Sequence, residues 1–185
     1  MRNTYFTSYF PLISIILFST SFALYAENQI VIIFKQIGLY IGLQEFFSVA
    51  EIKMTLLLII LILFFMILAA MKLLSDTILQ LALLLFSKEM NGESLKSARM
   101  TSIIFCGGGA ISVFCSFSIY AVILVFFITT MVAFTYLVYK ASFYLSTGGL
   151  IGFVFFQVVS WGVLLLAVGY TVLKFYNGLL GSLPI

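Results

Sequence analysis

Lys72 and Asp76 stand four residues apart in an otherwise apolar run, and of all the residues in this chain their types and spacing best suit chemistry. At i and i+4 on a helix they share a face. Deep in a membrane, they would be an ion pair able to join a proton or ion path. At the membrane edge, they would mark the interface. The second position is the one expected, because the neighbouring uncharged runs offer the pair no further charge. Gln157 and Trp161 repeat the spacing in a later apolar run. Gln157 is expected to hydrogen-bond a neighbouring helix, or else to line a cavity walled by Trp161.

Other chemistry is thin. The chain has no histidine, which removes the commonest general base and metal ligand together with serine–histidine and cysteine–histidine pairs. Serine–lysine and paired-carboxylate sites remain open in principle. Glu89 and Glu93 are one helical turn apart, but in a polar stretch that reads as a solvated loop. No catalytic residue, cofactor site or metal ligand is assigned, and an enzyme is the least expected reading. Cys106 and Cys115 share one apolar segment and are read as two buried thiols. Gly107 to Gly109 is not a phosphate loop, since no lysine–serine or lysine–threonine pair follows. Gly108, Ser112 and Ser116 instead form a small-residue stripe that lets helices approach closely, a spacing repeated by Gly148 and Gly152 and by Gly38 and Gly42.

The elements that carry these residues follow from composition. Apolar residues are 64% and charged residues 8% of the 185, against about 45–50% and about 25% in soluble domains. Too little polar surface exists to cover such a chain in water, so its solvent is largely lipid. The net charge of +3 has no basic run within it, and nucleic acid is not an expected partner. The expected partners are the bilayer and either a membrane protein or further copies of the chain.

A spanning helix needs about 20 apolar residues to cross about 30 Å of hydrocarbon. The expected architecture is an all-α membrane bundle of five spans, at about residues 5–26, 54–71, 100–116, 119–139 and 150–173. The first is read as an uncleaved span rather than a signal peptide, with Pro11 introducing a mild kink. Residues 27–53 alternate charged and aliphatic stripes and are expected as an amphipathic interfacial helix, with a re-entrant hairpin as the alternative. Leu73 to Phe86 is expected to continue the second span as a helix outside the hydrocarbon, with Lys72 reaching the interface. Residues 87–99 read as a cytoplasmic loop. The 40 uncharged residues from Met100 to Tyr139 are too long for one crossing, which predicts a turn near Ser116 to Ser118. Tyr136, Tyr139 and Tyr144 suit an interfacial aromatic belt.

With the N-terminus inside, Arg2, Lys72, Lys88, Lys96, Arg99 and Lys140 face the cytoplasm, against Lys35, Lys53 and Lys174 outside. This bias supports that orientation. It does not decide between four and five spans.

Asn3 to Glu27 (NTYFTSYFPLISIILFSTSFALYAE), SKEMNGESLK at Ser87 to Lys96, GGLIGF at Gly148 to Phe153 and the tail KFYNGLLGSLPI from Lys174 resemble the YufK-like family of small multi-pass membrane proteins of Bacillus-type bacteria. The resemblance runs the full length. It implies a bacterial plasma membrane and offers no catalytic residues. Three functions are therefore carried forward. They are a non-enzymatic accessory, regulatory or interaction subunit, a small transporter or channel component, and a membrane-embedded enzyme.

Overall fold

The computed structural model describes residues 9–87 and 100–182. Arg2, the polar stretch 88–99 with Glu89 and Glu93, and the last three residues lie outside them. The described residues form helices α1 (Phe10–Gln36), α2 (Leu39–Gln44), α3 (Val49–Phe86), α4 (Thr101–Phe114), α5 (Ile119–Ala141) and α6 (Thr147–Ser182). Among them are four helices long and apolar enough to cross a membrane, α1, α3, α5 and α6, and the shorter apolar α4. The chain is an all-helical membrane protein.

Local chemistry explains the boundaries. Pro11 stands in the first turn of α1, where its missing N–H costs nothing and its fixed φ suits helix entry. It therefore starts the helix rather than kinking a span. α1 runs through Glu27 without a break, and Gly38, at φ 78°, ends it by entering the left-handed region that glycine adopts without strain. The stretch 27–53 is thus not one amphipathic helix. It is divided among the end of α1, the short α2 and the start of α3. A capping box opens α3: the Ser48 backbone N–H donates to Glu51 Oε2 at 2.8 Å, and the Glu51 N–H donates to Ser48 Oγ at 3.3 Å. From there α3 continues unbroken past Lys72 to Phe86. α4 covers only 14 residues, about 21 Å. The Cys115–Ser118 turn after it leads directly into α5.

α1 is the centre of the assembly. Its Phe22 ring stacks on Phe64 of α3 at 5.3 Å, and Val31 clusters with Ile52, so α1 and α3 are antiparallel. α4 lies parallel to α1 along a seam of small polar residues. Ser14 Oγ donates to its own helix at Phe10 O (2.6 Å) and approaches Ser102 O at 3.3 Å. Further up, Ser112 donates to Gly109 O at 2.7 Å, and its oxygen lies 2.7 Å from the Ser21 hydroxyl. Hydrogen bonds between membrane helices contribute about 0.6 kcal/mol each, so close approach matters more than the bonds themselves. α5 closes this group, with Phe126 edge-on to Phe18 at 5.1 Å. A second cluster joins Ala82 and Leu83 of α3, Ala141 and Leu145 at the end of α5, and Phe153 of α6. α6 starts beside Phe86, whose ring fills the space over Gly152, and packs back along the last turns of α3. Beyond Leu164, α6 is exposed on every face.

Candidate functional site

The seven small residues separate in space. A Cβ on Gly108 would lie 2.1 Å from Thr129 Oγ1, and one on Gly152 would lie 2.4 Å from the Phe86 ring. Both are points of close helix approach. Ser112 is fully buried against α1. Ser116 lies past the end of α4, in the turn. At Gly38, Gly42 and Gly148 a Cβ would meet nothing within 4 Å, so these three are not packing positions among the described residues. Gly109, outside the four-residue repeat, is one: its Cβ would lie 2.9 Å from Leu17 Cβ. Cys106 and Cys115 are free and half-buried.

The charged pair forms. Lys72 Nζ is bonded to Asp76 Oδ1, with the side chains 35% and 45% exposed. Phe22 touches both Phe64 of α3 and Phe126 of α5, and Ala82 and Ala141 belong to one cluster, so α3 and α5 run in one direction. Lys72 lies ten residues before Ala82, about 15 Å along the helix, and Asp76 about 9 Å. Lys140 stands beside the rings of Tyr136 and Tyr139. Beyond Asp76, α3 packs on one face through Ala82 and Leu83, while Leu81, Leu84 and Leu85 on its other face are exposed.

Gln157 and Trp161 follow Phe153 at four-residue steps on the inner face of α6. They carry that face back toward the level of Asp76. Gln157 is 4% exposed, yet its Nε2 has no hydrogen-bond partner, so the expected bond to a neighbouring helix from that atom is absent. Trp161 is half-buried. An unpartnered buried amide costs about 1–3 kcal/mol. Gln157→Leu is accordingly expected to raise stability by about 1 kcal/mol in a detergent unfolding titration; a loss of that size would mean that the amide has a partner.

Sequence reasoning missed Glu27, which was read as part of an interfacial segment. It is 7% exposed, inside α1 one turn before Val31, and its Oε1 has no partner. No stripe marks it: Ser14 and Ser21 share a helix face, but Glu27, six residues after Ser21, lies about 120° round the helix from it. These polar groups do not form one site: the ion pair is on α3, the unpartnered amide nitrogen on α6, and the unpartnered carboxyl oxygen of Glu27 on α1 near the Ile52 end of α3, about 20 Å along the bundle from Lys72. Among the described residues they form no nucleophile–base pair.

Long apolar helices packed through serine, glycine and phenylalanine define a multi-pass helical membrane protein. The chain belongs to the family of unknown function DUF5366, whose model matches residues 27–184. It is 34% identical over 185 residues, all of both chains, to "Uncharacterized membrane protein YufK" of Bacillus subtilis (strain 168). The resemblance read from the termini and the Ser87 and Gly148 segments is thereby borne out. No solved structure matches the chain.

Proposed function

We propose that this protein is a non-catalytic subunit of the bacterial plasma membrane that works by packing against another membrane protein or a further copy of itself. One observation carries the reading. Lys72 and Asp76 are partly exposed on a helix long and apolar enough to cross a membrane; we place them within the hydrocarbon, where a charge facing lipid costs about 2.5–3.5 kcal/mol on insertion scales. A protein surface over the pair relieves that cost. The exposed half of α6 beyond Leu164 supports the same reading. Purification from native membranes in mild detergent is expected to yield a stable assembly. A clean monomer with nothing bound would count decisively against the proposal.

The reading also has the N-terminus cytoplasmic and the C-terminus outside, with α4 completing five crossings. In a background lacking Cys106 and Cys115, single cysteines at Asn28, Ser118 and Asn177 should react with an impermeant thiol reagent from outside, and one at Asn91 only from inside. Labelling of Asn91 and Asn177 from the same side would refute five crossings.

A second reading, a small transporter component, draws on the unpartnered atoms of Gln157 and Glu27. It requires Asp76→Asn or Gln157→Ala to change ion flux in reconstituted vesicles; flux no higher than in empty vesicles removes it.

A further inference from the structure

We propose that the hairpin joining α1 to α3 is seated in the bilayer surface rather than standing in water. Ile37, Ile41, Phe46 and Phe47 enter the upper acyl chains of the adjoining phospholipid leaflet, and Lys35 and Lys53 meet its phosphates. The contact needs no partner protein. Its first support is position. Tyr40 of α2 is buried in one cluster with Val31 of α1 and Ile52 of α3. Val31 lies five residues before Gln36, the last residue of α1, about 8 Å along the helix. α2 therefore folds back beside the two long helices instead of extending beyond them. Lys53 directly follows Ile52, and the Lys35 ammonium lies 5.2 Å from the centre of the Tyr40 ring. After Lys53, α3 is uncharged from Met54 to Met71, about 27 Å, close to the hydrocarbon thickness. The charges around Tyr40 stand where that uncharged run begins.

The second support is the surface of the hairpin. Phe46, Ile41 and Ile37 are 80%, 68% and 66% exposed, and the patch is continuous with Ile33 of α1 and Met54 of α3, which are exposed as well. Those two helices are long and apolar enough to cross a membrane, so lipid is the medium that already surrounds them at this level. Among the described residues neither Lys35 nor Lys53 forms an ion pair. Of the two carboxylates between them, Glu51 is held in the capping box, which leaves Glu45 against two cations. Lysines of this kind reach phosphate while their stems lie along apolar surface. The third support is the backbone. The Ile37 N–H donates to Ile33 O, and the Phe46 and Phe47 N–H groups both donate to Leu43 O, at 3.0–3.2 Å. The apolar tip thus enters lipid with these amides already paired, as a poorly hydrated medium requires. Only this short segment, not the whole of 27–53, behaves as an interfacial element.

The test uses the full chain, carrying Cys106→Ala and Cys115→Ala, in vesicles of phosphatidylethanolamine and phosphatidylglycerol. Phe46→Cys, at a residue that is largely exposed, bears a fluorescent probe. Its quenching by iodide, present on both sides of the membrane, is expected to be about fivefold weaker than that of the free probe in water. A nitroxide lipid labelled near the carbonyl should quench it more than one labelled at the chain end. Iodide quenching equal to that of the free probe puts the hairpin in water and overturns the proposal. Stronger quenching by the chain-end label makes the segment a deep re-entrant one and overturns it equally. Weak quenching by iodide and by both lipids means that protein covers the tip, and lipid is then not its occupant.

Discussion

Gly108→Leu is expected to be the most damaging single substitution in this protein, costing about 3 kcal/mol or more. The first atom added to Gly108 already falls 2.1 Å from Thr129 Oγ1 and 2.5 Å from its Cγ2. Thr129 has no room to yield, since its hydroxyl is bonded to Val125 O at 2.7 Å and the residue is buried. α4 or α5 must move, and α4 is also held to α1 at Ser21–Ser112 and at Gly109 over Leu17. The clash therefore spreads over three helices. Gly148→Leu, where nothing lies within 4 Å, should stay within about 0.5 kcal/mol of the natural protein. Combining Gly108→Ala with Thr129→Gly relieves the clash and moves the helical glycine from one helix to the other, so it should return stability to within about 1 kcal/mol of the natural protein. Unfolding titrations in one detergent check all three; if Gly108→Leu and Gly148→Leu unfold together, the α1–α4–α5 seam does not carry the stability assigned to it.

The second large effect is at Lys72 and Asp76. With the pair within the hydrocarbon, as proposed, Asp76→Ala leaves a lysine alone there, and partial exposure reduces but does not remove the cost of an unpaired charge. A loss of about 1–2 kcal/mol is expected, within the insertion-scale limit. Replacing both, Lys72→Met with Asp76→Leu, should fall within about 1 kcal/mol of the natural protein, because a neutral apolar pair meets lipid without penalty. The sign of this comparison is informative. At an interface both single variants would be near neutral, since solvated ion pairs contribute about 0–1 kcal/mol. A single variant that is harmless would return the pair to the membrane edge.

Much of the helix pattern was legible because apolar length is a one-dimensional property. The turn near Ser116–Ser118 followed from 40 uncharged residues that no single crossing holds. It falls at Cys115–Ser118, where the α4 ladder has run out and Ser118 is extended. The continuation of α3 to Phe86 followed from leucine content. The stretch 27–53 misled because its charges look amphipathic on a helical wheel, while Gly38 and the Ser48–Glu51 capping box cut it into three. A wheel has no boundaries in it. The burial of Glu27 was not legible for the same reason: its charge suggests an exposed position, whereas α1 continues past it and packing buries it.

The small-residue stripes show the same limit. Gly108 and Ser112 face neighbours, whereas Gly42 and Gly148, at identical spacing, face open space. Spacing says only that one face is small. Which face meets another helix depends on crossing angles and register, set by all the helices together.

By itself the sequence determined a helical membrane protein, the positions of its apolar stretches, its family resemblance and the i, i+4 pairing of Lys72 with Asp76. Those are consequences of composition and local spacing. The tertiary structure alone decided which small and polar residues meet another helix: Gly108 faces Thr129 and Gly152 faces Phe86, while Gly148 faces open space, and Glu27 and Gln157 are buried. Contact is a relation between helices, and no residue carries it alone.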